Sequence, residues 1–276
     1  CNEIPYLPIN LFKTTKVKSF KGKNEKIFFS STTSGDIASK HYLKSLDNYI
    51  ESFTKCFNKF YGKETNYVIL ALLPSYLERK NSSLIYMVES LIKKTKNKHS
   101  GFYLYDFDQL IRTIEILEAK NQKTILIGVS FALTNLIKYK KFKLKNTIVM
   151  ETGGMKGRQK ELSKKELHKL ICSGFGIRKV HSEYGMTELL SQAYSKGKGI
   201  FHTPPWMKIQ IRSIYDPFES IGYEKIGGIN IIDLANINSC SFIATQDLGK
   251  KLKKGGFEIL GRFDDSDIRG CNLLIN

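Results

Sequence analysis

The chain has 276 residues, of which 41% are hydrophobic and 25% are charged. This excludes a disordered or fibrous protein and allows one large α/β domain or two smaller ones. Lysine and arginine number 44 against 26 aspartate and glutamate residues, a formal net charge of +18 that favours anionic partners such as nucleotide phosphates, nucleic acid, acidic proteins or lipid heads. Because the basic residues are spread along the chain, solvated helix faces explain them more simply, and charge alone assigns no function.

Five cysteines lie at positions 1, 56, 172, 240 and 271, and no two form a Cys-x-x-Cys pair. This usage argues against a disulfide scaffold and for a reducing compartment. No stretch approaches the roughly 18 apolar residues that span a bilayer, and no secretory signal is visible. We therefore expect a cytoplasmic protein without an integral membrane segment. Because the sequence begins at Cys1, we also expect that an N-terminal segment is missing.

Apolar patterns over residues 27–190 alternate between strand and helix. In chain order they predict a strand at 27–29, a Ser/Thr-rich loop at 30–35, an amphipathic helix over 42–57, a strand at 67–73, a helix at 84–92, a strand at 124–129, a helix at 132–137, a strand at 147–150, a helix at 163–172 and a strand at 177–184. Ser163-x-x-Glu166 is a capping box that should begin the last helix. This alternation predicts a mostly parallel α/β sheet with crossover helices.

The pattern changes after Pro204-Pro205. Short strand-like runs at 209–214, 228–232, 241–244 and 257–260, separated by glycine and polar turns, predict a smaller antiparallel β subdomain. We expect an α/β core over 1–205, a β-rich subdomain over 206–260 and a closing segment over 261–276. Glycines follow the strand-like runs at 153, 154, 185, 249, 261 and 270, and ligands collect at strand ends in open α/β sheets.

The loop at 30–35 consists of small hydroxyl residues and ends in Gly35. Its backbone N–H groups and hydroxyls, with the predicted helix N-terminus behind them, suit phosphate oxygens. No Gly-Lys-Ser/Thr follows, so it is not a Walker loop. Taken alone, an ordinary strand-to-helix turn explains it more simply.

The motif Tyr-Gly-Met-Thr-Glu at 184–188 lies between a predicted strand and another predicted helix. Thr187 can donate a hydrogen bond to a phosphate, and Glu188 can hold the accompanying Mg²⁺. In isolation this motif is also typical of a structural turn.

A third motif combines Asp247 in Asp-Leu-Gly with Arg262 in Gly-Arg-Phe-Asp-Asp. A carboxylate at a strand end can accept hydrogen bonds from both hydroxyls of a ribose. The arginine adds positive charge against phosphates or the ribose.

These three motifs, in this order, resemble the adenylate-forming superfamily of acyl and aryl ligases. Within it, the runs at 4–13 (Ile-Pro-Tyr-Leu-Pro-Ile-Asn-Leu-Phe-Lys) and 261–274 (Gly-Arg-Phe-Asp-Asp-Ser-Asp-Ile-Arg-Gly-Cys-Asn-Leu-Leu) resemble the acyl-protein synthetases of bacterial luminescence, the long-chain fatty acid–luciferin-component ligases. The resemblance covers nearly the whole chain and implies ATP and Mg²⁺ as cofactors.

The resemblance also implies roles for single residues. Tyr184 would stack on adenine, Thr187 would contact the α-phosphate, and Glu188 would position Mg²⁺. The phosphate loop would consist of Ser30, Ser31, Thr33, Ser34 and Gly35. Gly153 and Gly154 would lie against the adenine, and Gly185, next to Tyr184, would also contact the nucleotide. Asp247 and Arg262 would hold the ribose.

The sequence departs from the superfamily pattern in its phosphate loop. Thr32 stands where glycine is usual, and its Cβ can crowd a phosphate. Ile37-Ala38 replaces a frequent Pro-Lys pair.

The C-terminal end bears on the acyl acceptor. Large members of the superfamily continue for about 100 residues in a mobile domain that supplies a catalytic lysine, and we expect this domain to be absent because the chain stops at Asn276. Acyl-protein synthetases instead carry an acceptor cysteine near the end, a position that Cys271 matches. Its thiolate can attack an acyl-adenylate, and Arg269 can lower its pKa. A structural role for Cys271 stays open.

The resulting hypothesis is ATP-dependent activation of a carboxylic acid, by resemblance a fatty acid, with transfer to a thiol on Cys271 or on an acyl-accepting or reductase partner protein. One alternative is a ligase that transfers an aryl or other small acid to CoA or a carrier protein. Another is a degenerate nucleotide-binding module. Binding of nucleic acid is not expected, since it would not produce the joint motif. His41 and His181 can line the acid pocket, although structural roles explain them more simply, and no His/Cys cluster has zinc spacing.

Overall fold

The computed structural model describes residues 4–31, 37–74, 81–104, 106–153 and 163–263. The strands are β1 (Leu7–Pro8), β2 (Lys26–Phe29), β3 (Lys40–Leu43), β4 (Val68–Leu72), β5 (Gly101–Phe102), β6 (Thr124–Val129), β7 (Thr147–Thr152), β8 (His181–Tyr184), β9 (Ala193–Ser195), β10 (Ile200–His202), β11 (Met207–Arg212), β12 (Ser220–Ile221), β13 (Ile226–Asp233), β14 (Phe242–Lys251) and β15 (Phe257–Arg262). The α-helices are α1 (Leu11–Thr14), α2 (Asp47–Tyr61), α3 (Ser83–Thr95), α4 (Phe107–Ala119), α5 (Ser130–Tyr139) and α6 (Lys164–Phe175).

Most of these strands join one large sheet. Its order is β12-β11-β13-β14-β15-β10-β9-β8-β7-β6-β4-β5, with β1 paired to β14 off this path. Neighbours from β5 to β8 run parallel, whereas β8 pairs with β9 antiparallel, and antiparallel pairing continues to β12. The predicted α/β fold with a parallel core and an antiparallel β part is therefore confirmed, although antiparallel pairing begins already at β9.

The parallel half has the larger core because its strands are covered by helices. Every residue of β4 and β6 is buried, as expected for parallel strands packed on both faces. Phe57 of α2 and Met87 and Leu91 of α3 lie over the sheet, where they meet Ile125 and Met150. A second core lies within the antiparallel half and includes Phe12, Phe201, Ile209, Ile229 and Ile243.

The region around the predicted phosphate loop differs from the predicted strand–loop–helix. Tyr42 and Leu43 belong to β3, which pairs antiparallel with β2, and the helix begins only at Asp47. The predicted loop therefore falls between the two strands of a hairpin, and no helix begins among the described residues 37–46 that follow it. The apolar spacing predicted one helix over 42–57 because an apolar strand and an amphipathic helix follow one another within a few residues.

The segment after the motif at 184–188 also differs from prediction. It continues through turns into β9 at Ala193 and forms no helix. The strand predicted at 177–184 begins only at His181. Among the helices that the structure describes, none is long and apolar enough to cross a bilayer.

The predicted capping box at the start of α6 is confirmed. Ser163 Oγ accepts a hydrogen bond from the Glu166 backbone N–H at 3.3 Å, and the Glu166 carboxylate accepts one from the Ser163 N–H at 2.9 Å. These bonds satisfy two N–H groups that a helix end otherwise leaves unpaired.

We predict that Ser163→Ala destabilises the chain by about 1 kcal/mol, because the N-cap acceptor is lost. The measurement is the urea dependence of unfolding followed by circular dichroism. Ser90→Ala is the matched control: Ser90 lies within α3 and donates to the Tyr86 carbonyl, so alanine there should cost little or even stabilise the helix. Equal effects of the two changes would contradict the capping role.

Candidate functional site

The side chains of the predicted adenine and ribose residues are in direct contact. Tyr184 is the last residue of β8, and its hydroxyl donates a hydrogen bond to Asp247 Oδ2 at 2.6 Å. Arg262 pairs with Asp247 across β14 and β15, with its Nε 3.5 Å from Asp247 Oδ1. Three of the predicted residues thus form one polar cluster.

This contact requires strong curvature of the sheet. Three strands lie between β8 and β14 in the sheet order, yet one hydrogen bond joins them. The space inside the curve is filled by Phe201 of β10 and Phe257 of β15, whose ring centroids each lie 6.0 Å from that of Tyr184 in edge-to-face arrangements. The aromatic cluster therefore supports Tyr184 where its hydroxyl meets Asp247.

The charge state of the cluster follows from its burial. Burial and the neighbouring Asp247 carboxylate raise the pKa of Tyr184 well above its usual value, so Tyr184 stays a neutral hydrogen-bond donor. The Arg262 side chain is 52% exposed, and its attraction to Asp247 is screened by water. Arg262 therefore remains accessible to an anionic ligand.

Asp247 lies in the middle of β14, whereas the sequence placed it at a strand end. Gly249 and Gly261, also predicted to follow strands, lie within β14 and β15. The sequence did not show that β14 continues past Asp247, because the pairing of β14 with β15 is irregular between Leu248 and Gly249. Arg212, which sequence analysis missed, supports this stretch by donating to the Thr245 carbonyl at 2.6 Å.

The motif at 184–188 is tied to the β2–β3 hairpin through His41. The Thr187 carbonyl lies 2.7 Å from His41 Nδ1, and because a carbonyl only accepts, Nδ1 carries the hydrogen. Burial lowers the pKa of His41 to about 4, so the ring is neutral near pH 7. His41 therefore has the structural role that the sequence favoured, and it brings the hairpin of the predicted phosphate loop beside Thr187.

Ser30 and Ser31 lie at the base of this hairpin. Ser30 Oγ accepts a hydrogen bond from the Ser39 N–H at 2.9 Å, and the Ser30 N–H donates to the Ser39 carbonyl at 3.1 Å. Gly153 directly follows β7 and has a φ of +73°, a conformation that favours glycine. The predicted residues Thr33, Ser34, Gly35, Gly154 and Cys271 lie outside the described residues.

Glu188 is buried, and its backbone carbonyl accepts a hydrogen bond from Asn236 Nδ2 at 2.8 Å. Within the described ranges, no three His, Cys, Asp or Glu side chains form a cluster suited to a metal ion. A single carboxylate nevertheless fits Mg²⁺ that arrives with a nucleotide, since Mg²⁺ in such sites takes one or two carboxylates together with phosphate oxygens and waters.

Asp233 holds the segment that follows the motif. Its Oδ2 accepts hydrogen bonds from the backbone N–H groups of Leu190 and Ser191 at 2.8 and 3.0 Å, and its Oδ1 accepts from Ser191 Oγ at 2.6 Å and the Ala235 N–H at 3.2 Å. The side chain is fully buried. The three bonds to Leu190 and Ser191 take the place of the intrahelical bonds of the helix predicted there. A lone aspartate 45 residues beyond the motif gave no sequence signal for this role.

Sequence analysis also missed two buried glutamates at the ends of β7 and β8. Glu151 is 5% exposed and lies 3.1 Å from Lys164 Nζ and 3.4 Å from His168 Nε2. Burial alone would raise its pKa, but these two partners hold the pKa down at about 2. Glu151 is therefore ionised and anchors α6 to the sheet. The sequence signal that could have identified Glu151 is a charged residue at the end of an otherwise apolar strand.

Glu183 has the opposite charge state. It is 8% exposed and accepts a hydrogen bond from the Thr152 hydroxyl. Burial, reinforced by the Glu151 charge, raises its pKa to about 7 against the lowering effect of Thr152. A carboxyl group that changes charge near neutral pH thus lies directly before Tyr184.

The fold is similar to that of several solved structures, among them a CoA ligase and a Coenzyme A synthetase. ATP-bound MatB from Rhodopseudomonas palustris has 19% identity and a TM-score of 0.66, and the match covers 88% of this chain and 49% of that chain. A long-chain-fatty-acid-CoA ligase from Archaeoglobus fulgidus has 14% identity and a TM-score of 0.61, with 86% and 51% covered. O-succinylbenzoate Coenzyme A synthetase from Bacillus subtilis, in complex with ATP and magnesium ion, has 17% identity and a TM-score of 0.59, with 86% and 49% covered.

The chain thus has the fold of adenylate-forming ligases and spans about half the length of these solved structures. The family profile described as acyl-protein synthetase, LuxE, matches residues 1–276, and the chain belongs to this family. A comparison with curated proteins found no match. The resemblance drawn from the motifs is therefore confirmed at the level of family and fold.

We predict that Asp233→Asn destabilises the chain by about 2–4 kcal/mol. The amide removes a charged acceptor and turns N–H groups toward buried donors. Urea unfolding followed by tryptophan fluorescence reports this directly, since Trp206 Nε1 lies 2.9 Å from Ser191 Oγ. Asp216→Asn is the control, because Asp216 is exposed and its side chain accepts only from the Phe218 N–H among the bonds observed. A cost for Asp233→Asn as small as that of the control would contradict the anchoring role.

Proposed function

We propose that the chain activates a carboxylic acid as an acyl-adenylate with ATP and passes the acyl group to a thiol. The observation that carries this proposal is the Tyr184–Asp247–Arg262 cluster beside the motif at 184–188, in a chain of the acyl-protein synthetase family. Solved structures of the same fold contain ATP, which supports ATP as the nucleotide.

The residues of the cluster suit the parts of a nucleotide. Asp247 offers two carboxylate oxygens to ribose hydroxyls, and Arg262 offers an exposed cation to phosphate or ribose oxygens. Tyr184 presents an aromatic ring at the edge of the site for the adenine. Ser30 and Ser31 end the first strand side of the β2–β3 hairpin, which His41 of β3 ties to Thr187, and we assign the phosphates to the predicted loop at 30–35.

In the first step, an acid carboxylate oxygen attacks the α-phosphorus of ATP, and pyrophosphate leaves. Negative charge builds up on the phosphate oxygens, so the chain needs donors aimed at them. Thr187 and the hydroxyl loop serve as these donors. Glu188 would hold Mg²⁺, which supplies positive charge against the leaving pyrophosphate when it accompanies ATP.

In the second step, a thiolate attacks the acyl carbonyl and releases AMP. We assign the acceptor thiol to Cys271, with an acyl-accepting or reductase protein as the subsequent partner. Burial raises the pKa of Cys56 to about 12 and also raises that of Cys172, so these two thiols are poor nucleophiles. Cys56, Cys172 and Cys240 are free thiols, which supports the proposed cytoplasmic location.

A fatty acid is the proposed substrate class. A small apolar cavity, with room for about one water molecule, lies between the sheet and the helices α2 and α3, on the side of the sheet that carries Met150 of β7. It would have to widen to admit an acyl tail. Burial of methylene groups there would contribute about 0.8 kcal/mol each.

The test of adenylation is acid-dependent exchange of labelled pyrophosphate into ATP. We expect exchange with fatty acids and predict that Asp247→Ala raises the KM for ATP at least tenfold, since a charge-assisted hydrogen bond contributes about 1.5–3 kcal/mol. Asp216→Ala, which removes an exposed carboxylate in another turn, should leave the KM unchanged. A folded Asp247→Ala protein with the ATP affinity of the wild type would contradict the ribose assignment.

The acceptor is tested separately with labelled fatty acid and gel electrophoresis under non-reducing conditions. Cys271→Ala should retain pyrophosphate exchange and lose the thioester-bound label, while Cys172→Ala should keep both. Retention of label in Cys271→Ala would move the acceptor to another residue or to a partner. Acyl-CoA formation without acylated protein would instead favour a CoA ligase, and ATP binding without exchange would favour a degenerate module.

A further inference from the structure

A polar cluster lies at the end of the sheet beside the nucleotide residues and is not used by the steps above. Its members are Thr152, which ends β7, Glu183 near the end of β8, and Gln192 just before β9. Thr152 and Glu183 are directly opposite in the β7–β8 register and are joined by a hydrogen bond from the Thr152 hydroxyl.

Glu183 and Gln192 converge on Gly185. A Cβ atom built on Gly185 would lie 2.5 Å from Glu183 Oε1 and 3.5 Å from Gln192 Cγ. Gly185 itself is exposed. The glycine therefore leaves room through which the buried carboxyl group of Glu183 can reach a ligand from outside.

Gln192 gives an independent indication of a missing ligand. Its side chain is 3% exposed, and its Oε1 has no hydrogen-bond partner among the residues that the structure describes. Buried amide groups are normally paired, because an unpaired one costs about 1–3 kcal/mol. An amide can also rotate to present its N–H₂ group, so Gln192 can either accept from or donate to a bound molecule.

The apolar cavity begins directly next to this cluster. Met150, which lines the cavity, precedes Thr152 by two residues and so points to the same face of the sheet. Tyr194, also in the lining, is directly opposite Glu183 in the β8–β9 register. Met87 and Met150 are unbranched side chains that can rearrange to widen the cavity for a ligand.

We propose that Glu183, Thr152 and Gln192 bind the carboxylate of an apolar monocarboxylic acid, with Glu183 donating its carboxyl hydrogen to one carboxylate oxygen and the cavity receiving the first part of the tail. This inference rests on the proposed function, whose substrate-binding residues it names. The other carboxylate oxygen is left free to attack the α-phosphorus. The proton stays on Glu183, and no bond to Glu183 is formed or broken.

The surroundings of Glu183 favour the neutral form that this role needs. The ionisable groups that act on it or are affected by it are Glu151 of β7, Tyr49, Cys56 and Tyr61 of α2, and Tyr194 of β9. Burial raises the pKa of the phenols and the thiol, so they are neutral, and His181 on β8 is neutral because burial lowers its pKa to about 4. Glu151 is negative and disfavours a second charge.

The charge state of Glu183 and the apolar cavity also determine which acids can bind. A carboxylate ligand can bind beside protonated Glu183, whereas an ionised Glu183 would repel it. A second charged group on the acid would have to enter the apolar cavity unpaired. We therefore expect monocarboxylic apolar acids to bind and dicarboxylic acids of the same length to be rejected.

The first test is the KM for a fatty acid in pyrophosphate exchange between pH 5.5 and 9. Because the pKa of Glu183 is about 7, the KM should be constant below pH 6 and rise about tenfold per pH unit above pH 7. Glu183→Gln keeps a hydrogen-bond donor and has no carboxyl proton to lose, so its KM should stay low and independent of pH. Glu166→Gln, at an exposed helix start, is the control and should keep the wild-type profile.

Thr152→Val gives a second readout that a merely structural role would not produce. The Thr152 hydroxyl lowers the pKa of Glu183, so its removal should shift the rise in KM to higher pH. A wild-type KM for the acid that does not change with pH, or a Glu183→Gln profile identical to that of the wild type, would overturn the inference.

Binding without turnover separates this inference from the proposed function. Titration of the 276-residue chain with decanoate at pH 8, in two buffers of different ionisation enthalpy, should show uptake of a proton by the wild type and none by Glu183→Gln. Proton-coupled binding without any exchange would support the Glu183 site and overturn adenylation. Exchange combined with binding that takes up no proton would support adenylation and overturn the role of Glu183.

Discussion

The hydrogen bond between Tyr184 and Asp247 is the contact on which the site depends. It joins β8 to β14 across three intervening strands, and so it exists only because the antiparallel half of the sheet curls back over the ends of the parallel strands. Phe201 and Phe257 fill the inside of this curve. The curvature converts separate motifs, far apart in the sequence, into one surface at the carboxyl ends of β7 and β8.

The turn after Tyr184 shows how packing supports this surface. Residues 185–191 form no helix or strand. Their backbone is held by hydrogen bonds to the buried side chains of Asp233, Asn236 and His41. Each of these bonds lies in a low-dielectric interior, where a satisfied polar contact specifies one arrangement and an unsatisfied one is costly. Thr187 and Glu188 are consequently presented by a fixed backbone.

Much of the fold could be predicted from the sequence because the signals were local, and three of the proposed nucleotide residues, Tyr184, Asp247 and Arg262, do lie together. The strand at 124–129 and the capping box at Ser163 appear as expected. Apolar spacing could not separate the strand that ends at Leu43 from the helix that begins at Asp47. Asp247 was predicted to end a strand because Gly249 lies two residues further on. The convergence of Glu183 and Gln192 on Gly185 depends on strand register, which no single stretch of sequence records.

The central claim is that one end of the sheet holds a nucleotide and an acid as a single adenylate. It is tested most directly by calorimetric binding of a hydrolysis-resistant decanoyl-adenylate analogue, decanoyl-sulfamoyl-adenosine, compared with AMP and with decanoate. The account predicts that the analogue binds at least about a hundredfold more tightly than either part, because one molecule makes both sets of contacts. Affinity for the analogue no greater than for AMP would contradict it.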